Sequence, residues 1–271
     1  MLSFSCCRLC ISVETGIILS MRFLLYNIRY ATGRGANFHL PLPYAGFFKS
    51  TAAKLGQIST FIRSVDPDIV ALVEVDSGSY RSGWSCQAAY LARDLGYSHV
   101  VESKYRNASL AQRVPVLNKQ SNALLSRTPI ISHRFHYFSE GIKRLVIEVE
   151  LEDAVIFIVH LSLKYRHRHQ QLEYLHRLLM GRKKPVILAG DFNTFGGNRE
   201  LDLFLAATGL CDANPEARPS YPSHAPHRQL DFILHSQELE AVNCQVPDIQ
   251  LSDHVPMIVE FRSTVETCAE K

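Results

Sequence analysis

Several short apolar runs of this 271-residue sequence end in, or border, a residue whose side chain could do chemistry. In chain order these residues are Asn27, Glu74, His160, Asp191, Asn193, Asp253 and His254. A single asparagine or aspartate at a strand end usually shapes a turn. Several of them at successive strand ends predict a shared site, because strand ends along one edge of a layered α/β fold converge.

The residue types match a definite chemistry. Glu74, Asp191 and Asp253 carry hard carboxylate oxygens, and amide oxygens come from Asn27 and Asn193. Such ligands suit Mg²⁺ or Mn²⁺ and suit zinc poorly. The two histidines can carry protons near neutral pH. A divalent cation, a carboxylate that orients water and histidines that move protons are what the hydrolysis of a phosphoester requires.

Buried strands are expected to position these side chains. Apolar runs rich in β-branched residues predict strands at 22–28, 69–75, 122–126, 144–151, 155–161, 185–189, 230–234 and 257–261. The runs 145–151 and 154–159 flank Glu152 and Asp153, which predicts a β-hairpin. Strands that are adjacent in places and separated by helices in others indicate an α/β fold, namely a two-sheet α/β sandwich flanked by helices.

Helical periods fill the intervals between the strands. Apolar residues share one helical face in three sets: Leu55, Ile58, Ile62 and Val65; Leu172, Leu175 and Leu179; and Leu201, Phe204 and Leu205. Asp66 and Pro67 are expected to end the first of these helices. Gly181 is expected to end the second.

Longer motifs give the sequence a family resemblance from position 21 to 261. The motifs are Tyr26-Asn27-Ile28, Val73-Glu74-Val75, Asn122-Ala123-Leu124-Leu125-Ser126-Arg127, His160-Leu161-Ser162, Gly190-Asp191-Phe192-Asn193, Leu230-Asp231-Phe232-Ile233-Leu234 and Ser252-Asp253-His254-Val255-Pro256. In this order they resemble the endonuclease/exonuclease/phosphatase superfamily, which includes nucleases, sphingomyelinases, deadenylases and inositol-polyphosphate phosphatases. The resemblance implies a metal-dependent phosphoester hydrolase.

The resemblance also implies a metal site. Glu74 would hold Mg²⁺ or Mn²⁺, with Asn27 beside it. Asp253 would complete the metal shell directly or through water. Whether one metal ion or two is bound differs within the superfamily, and both counts stay open.

Catalytic roles follow from the same resemblance. Asp191 would orient or deprotonate the attacking water, and Asn193 would donate to the phosphoryl oxygens. His160 would bond to the phosphate or assist the leaving group. His254 would act as general base or stabilise the transition state, held by Asp231. Because every motif is intact, an inactive binding module is the disfavoured alternative.

The substrate is less constrained. Val73 stands where abasic-site nucleases usually carry glutamine, and His160 resembles sphingomyelinases and deadenylases. These features favour a phosphodiesterase acting on a lipid-derived or small phosphodiester. The basic segment 164–184 instead allows a DNA or RNA endonuclease, or contact with an anionic membrane surface. A phosphomonoesterase is a third possibility. Asn122 and Arg166 are the candidate substrate-binding residues.

The apolar segment 38–48 follows the first predicted catalytic strand. At the rim of the site it could enter a bilayer or stack on bases, and it could equally pack on the edge of the sheet. No feature of the sequence indicates an obligate protein partner.

Composition sets the remaining expectations. A net charge of +3 and 46% hydrophobic residues describe an ordinary globular chain with a sizeable core. Seven scattered cysteines form no disulfide framework, which favours a reducing, cytoplasmic compartment, with membrane association left open. We expect one domain over 21–262, an N-terminal extension over 1–20 with Met21 as a candidate start, and a tail over 263–271.

Overall fold

The computed structural model describes residues 20–35, 50–105, 116–141 and 143–263. Three sequence predictions fall wholly or almost wholly outside these residues. They are the N-terminal extension up to residue 19, the apolar segment 38–48 and the tail beyond residue 263.

Twelve strands form two six-stranded mixed sheets in the described part of the chain. The strands are β1 (Ser20–Asn27), β2 (Ile69–Asp76), β3 (Ser98–Ser103), β4 (Gln120–Ser126), β5 (Ser132–Tyr137), β6 (Leu145–Glu150), β7 (Val155–His160), β8 (Val186–Asp191), β9 (Cys211–Asp212), β10 (Asp231–His235), β11 (Leu239–Gln245) and β12 (Met257–Ser263). The first sheet has the order β11-β12-β1-β2-β4-β3, and the second has the order β5-β6-β7-β8-β10-β9.

Four α-helices cover the outer faces of the sheets. They are α1 (Ala52–Val65), α2 (Gln87–Leu95), α3 (Tyr165–Leu179) and α4 (Asp202–Thr208). One hydrophobic core lies between the sheets, a second joins the first sheet to α1 and α2, and a third joins the second sheet to α3 and α4. The predicted two-sheet α/β sandwich flanked by helices is confirmed.

The predicted helices correspond to α1, α3 and α4. Helix α1 ends as expected at Asp66, which adopts a left-handed conformation before Pro67. Helix α3 ends at Leu179, two residues before Gly181, whose φ is +74°. None of the described helices is long and apolar enough to cross a lipid bilayer.

The interior strands match the sequence prediction, whereas four peripheral strands and α2 were not predicted. Strands β3, β5, β9 and β11 carry many exposed or half-exposed side chains. All four are edge strands: β11 and β3 border the first sheet, and β5 and β9 border the second. Edge strands tend to carry polar residues, so the apolar pattern that reveals a buried strand is weak in them.

Topology brings the polar strand ends to one edge of the sandwich. Parallel neighbours β1 and β2 finish there, and so do parallel neighbours β7 and β8. Strands β10 and β12 run antiparallel to β8 and β1, so they begin at the same edge. This pairing places Asp191 between two partners, with Asp231 opposite it on β10 and His160 opposite it on β7.

Candidate active site

A cleft of about 540 Å³ opens at this edge. Six of the predicted residues line it, namely Asn27, Glu74, Asp191, Asn193, Asp253 and His254. His160 and Asp231 are buried directly behind it, and each contacts a residue of the lining. The structure therefore brings together all eight residues that motifs and resemblance select.

Asp191 is the hub of the polar contacts. Its Oδ2 accepts a hydrogen bond from Asn27 Nδ2 at 3.2 Å, and its Oδ1 accepts one from the backbone N–H of Asn193 at 3.0 Å. The Nε2 atoms of His160 and His254 lie 3.2 and 3.9 Å from Oδ2. Burial opposes ionisation, but these imidazoles outweigh it and lower the pKa of Asp191 well below its usual range.

The glycine before Asp191 is required by the approach of two strands. Gly190 has φ of +153°, and a Cβ at this position would lie 1.9 Å from the carbonyl oxygen of Val159. Only glycine lets β8 come this close to β7. The Gly-Asp pair of the motif is therefore explained by backbone packing as well as by chemistry.

His254 is held by a buried carboxylate. Its Nδ1 lies 2.6 Å from Asp231 Oδ2, which also accepts a hydrogen bond from Ser220 Oγ at 2.6 Å. The ring of Tyr221 packs against the imidazole with the two centroids 4.9 Å apart. Burial disfavours the imidazolium, yet the charges of Asp231 and the neighbouring acids outweigh it and raise the pKa of His254 to about 10. His254 is thus protonated at neutral pH.

His160 is held as a neutral imidazole. Lys104 Nζ lies 3.0 Å from His160 Nδ1, and Lys143 Nζ contacts Nε2. Burial and these two ammonium groups lower the pKa of His160 to about 3. Lys104 and Lys143 contact one ring nitrogen each, and the neutral ring also faces Asp191 Oδ2 through Nε2, at 3.2 Å. Of the two predicted roles, this state suits hydrogen bonding to phosphate.

Lys104, Lys143, Tyr30 and Arg29 also line the cleft, and the sequence prediction missed them. Lys104 Nζ lies 3.2 Å from the hydroxyl of Tyr30 and 3.8 Å from Glu74 Oε1. No predicted motif contains these residues: Arg29 and Tyr30 follow β1, Lys104 follows β3, and Lys143 precedes β6.

The donor set fits a divalent cation. Burial opposes the charge on Glu74, but Lys104, His160 and Lys143 outweigh it and lower its pKa to about 2. Asp253 also lines the cleft, with Oδ2 3.3 Å from Arg29 Nε. Within the described ranges, no three histidine, cysteine or acidic side chains form a closed metal cage. Mg²⁺ needs only one or two carboxylates, since water and substrate oxygens fill its other positions.

Asn27 has both ends of its amide engaged. Its Oδ1 accepts the backbone N–H of Arg29 at 3.1 Å, while Nδ2 donates to Asp191. The side chain therefore braces Asp191 and the turn after β1. A carbonyl oxygen has a second lone pair, so the predicted place of Asn27 beside the metal stays a prediction.

The two candidate substrate-binding residues are not among the residues that line the cleft. Asn122 is fully buried, and its Oδ1 accepts the backbone N–H of Glu74 at 3.3 Å. Asn122 is also absent from the cleft lining, so its predicted contact with substrate stays a prediction. Arg166 is exposed on the first turn of α3, outside the described lining.

The basic segment 164–184 is not one continuous cationic surface. Four of its cations form ion pairs, which are Arg168–Glu200, Arg177–Glu173, Arg182–Glu148 and Lys184–Glu150. Arg168 is buried and makes a two-pronged contact with Glu200, so it is structural. Lys164 and Arg166 remain exposed close to the cleft mouth.

The site geometry agrees with comparison to known families. The profile of the Endonuclease/Exonuclease/phosphatase family matches residues 25–254. The chain belongs to this family. The match starts within β1, just before Asn27, and ends at His254, so it contains every residue of the cleft that the motifs select.

Curated relatives of this chain include UPF0294 proteins. A UPF0294 protein from Yersinia pseudotuberculosis is 33% identical over 155 residues, which are 56% of this chain and 53% of the relative. A UPF0294 protein from Yersinia pestis matches equally. The chain thus spans about half the length of the curated relatives it matches.

Solved structures of the family share the fold. An endonuclease/exonuclease/phosphatase from Beutenbergia cavernae superposes with a TM-score of 0.68 at 21% identity, over 92% of this chain and 73% of that one. A mannosyl-6-phosphatase from Bacteroides thetaiotaomicron gives 0.64 at 17% identity, over 89% and 99% of the two chains. Likeness at this identity establishes the architecture alone.

Proposed function

We propose that this family member is a divalent-metal-dependent hydrolase of a small or lipid-derived phosphodiester. The observation that carries the proposal is the position of ionised Asp191 in the cleft. It lies 3.2 Å from His160 Nε2 and 3.9 Å from His254 Nε2, beside the carboxylate of Glu74. An inactive binding module would have no use for two histidines held in opposite protonation states around one carboxylate.

The side chains divide the work of hydrolysis. Asp191 accepts a hydrogen bond from the attacking water; its low pKa makes it a weak base, so it orients the water more than it deprotonates it. His160 Nε2 lies 3.2 Å from Asp191 Oδ2 and fixes that carboxylate, and its bond to a phosphoryl oxygen stays a prediction. Protonated His254 donates from Nε2 to the charge that grows on the phosphoryl group, because Nδ1 is committed to Asp231. General-base action by His254 is disfavoured.

Glu74 is the principal candidate ligand for Mg²⁺ or Mn²⁺, with Asp253 as its partner. When bound, such an ion supplies a Lewis acid that polarises the phosphoryl oxygen. Lys143 lies on the His160 side of the cleft, where its ammonium group can attract a substrate phosphate.

Removal of metal tests the proposal. Hydrolysis of bis-p-nitrophenyl phosphate should vanish in EDTA and return with Mg²⁺ or Mn²⁺. Glu74→Gln removes the ionised ligand and should weaken activation by the cation about 10–100-fold. Glu240→Gln, an exposed acid on β11, is the control and should behave like wild type. Full activity in EDTA would exclude the metal-dependent mechanism.

The rim of the cleft supports a lipid or membrane-held substrate. Leu163 and Tyr165 are 60% and 63% exposed, and they alternate with exposed Lys164 and Arg166 at the start of α3. Phe195, 39% exposed, also lines the mouth. Apolar insertion and attraction to anionic head groups add, so this turn suits an anionic membrane surface. The fold shared with a mannosyl-6-phosphatase keeps a phosphomonoester as a second candidate substrate.

Vesicle sedimentation tests the membrane surface. Wild type should bind phosphatidylcholine vesicles better when phosphatidylserine is included. Leu163→Ser with Tyr165→Ser should lower binding about tenfold or more, since one buried leucine contributes about 1.5–3 kcal/mol. Leu203→Ser is the matched control, because Leu203 is 72% exposed on α4. Degradation of plasmid or RNA without vesicle binding would favour the nuclease instead.

A further inference from the structure

Strand β2 carries a bulge beside the cleft. Its pairing with β4 is regular from Ile69 opposite Ser126 to Leu72 opposite Ala123, and it resumes one residue out of step with Val75 opposite Ser121. Val73 and Glu74 of β2 therefore face the single residue Asn122 of β4. Two residues opposite one define a β-bulge, which redirects a side chain at the end of a strand.

The bulge decides which way Glu74 points. Ile69, Ala71 and Val73 belong to the core between the sheets, whereas Val70 and Leu72 belong to the core under α1 and α2. Strict alternation would put position 74 with Leu72, under the helices. Val75 occupies that core instead, and Glu74 is released into the cleft.

Asn122 is the side chain that meets this bulge. Glu74 has φ of +58°, which is unfavourable for a residue with a side chain, and its N–H donates to Asn122 Oδ1 at 3.3 Å. Asn122 is fully buried, and its Nδ2 atom has no hydrogen-bond partner among the described residues. The hydrogen bond from the N–H of Glu74 is therefore the contact that the buried amide of Asn122 adds to the structure here.

We propose that Asn122 is a positioning residue that fixes the β2 bulge and so aims the Glu74 carboxylate into the cleft. The inference rests on the proposed role of Glu74 as the metal ligand. Without the Asn122 oxygen, the N–H of Glu74 is a buried donor that lacks this acceptor. The bulged pairing of β2 with β4 then loses stability relative to a regular pairing of the same strands. In that pairing the glutamate leaves the cleft, because a one-residue slip reverses the face of every side chain that follows.

Metal binding by three variants tests the inference. The dissociation constant for Mn²⁺ is measured by electron paramagnetic resonance on the full chain. Asn122→Leu has a similar volume and no acceptor, and should weaken Mn²⁺ binding about 10–100-fold. Asn122→Asp keeps an oxygen at the same place and should recover most of the affinity. Ser121→Ala, which removes a hydroxyl from the neighbouring buried position of β4, should bind like wild type.

A double-mutant cycle separates positioning from a general structural effect. If Asn122 acts through Glu74, Asn122→Leu should change Mn²⁺ affinity little when Glu74→Gln is already present. An equal loss in both backgrounds would overturn the inference, and so would Asn122→Leu with wild-type affinity.

Amide hydrogen exchange gives a readout that needs no metal. The N–H of Glu74 should lose protection in Asn122→Leu, while the N–H groups of Val70 and Leu72 stay protected. If wild type binds no Mn²⁺, the proposed function fails, and exchange at Glu74 alone decides whether Asn122 holds the bulge. Unchanged protection of the Glu74 N–H in Asn122→Leu would show that Asn122 does not fix the bulge.

Discussion

Replacing Asp191 by asparagine is expected to lower kcat about 10²–10⁴-fold, the contribution typical of a residue that handles the proton of a reacting group. An amide at this position loses the charge that holds His160 and His254 in place, and it turns an N–H toward the Nε2 atom of His160. The attacking water then loses its acceptor. The fold should persist, since the remaining oxygen, in the place of Oδ1, can still accept the backbone N–H of Asn193.

The measurement is steady-state kinetics on bis-p-nitrophenyl phosphate, with circular dichroism to verify folding. Asp212→Asn is the matched control, because Asp212 lies on β9, outside the lining of the cleft. A folded Asp191→Asn enzyme within tenfold of wild-type kcat would remove Asp191 from the chemistry.

Loss of His254 is expected to be comparably severe. His254→Ala should lower kcat about 10²–10⁴-fold, because the variant loses the donor that faces the reacting group from the Asp231 side. His235→Ala is a suitable control, since His235 is buried at the far end of β10. A His254→Ala enzyme that keeps more than about a tenth of wild-type kcat would exclude the residue from the mechanism.

The protonation state of His254 predicts a pH profile. Its pKa of about 10 means that the imidazolium is present at neutral pH and is lost as the pH rises through that value. If the imidazolium is the active form, kcat/KM should be level across neutral pH and fall in the alkaline range. Asp231→Asn removes the charge that raises this pKa, so the fall should begin at lower pH. Activity that increases with deprotonation of His254 would restore the general-base role.

The strands that carry the site could be predicted because they are buried on both faces. Continuous apolar runs mark β1, β2, β7 and β8, and the polar residue that interrupts each run marks the edge of the sheet. Strand β11 has few buried side chains, so its sequence has no comparable pattern. Burial of a strand on both faces is what makes its sequence continuously apolar, and this pattern alone distinguishes the interior strands from an exposed edge strand.

Cations of the site could not be predicted in the same way. Lysine and arginine are usually solvated, and composition does not reveal which ones a fold will bury. Lys104 lies 56 residues from His160 in the sequence, and Arg168 lies 32 residues from Glu200. Lys104 lines the cleft and contacts His160 behind it, whereas Arg168 of the basic segment forms a buried structural ion pair with Glu200.

Sequence patterns sufficed to predict the sandwich architecture, the family and the eight polar residues at the strand ends. These features depend on local patterns, namely apolar periodicity and short motifs, which can be recognised without knowing which distant residues each side chain contacts. Tertiary structure alone decided the protonation of the two histidines and the role of Asn122. A pKa depends on charges that surround a group in space, and the Asn122–Glu74 contact joins residues 48 positions apart across a strand pair whose one-residue shift no local pattern encodes.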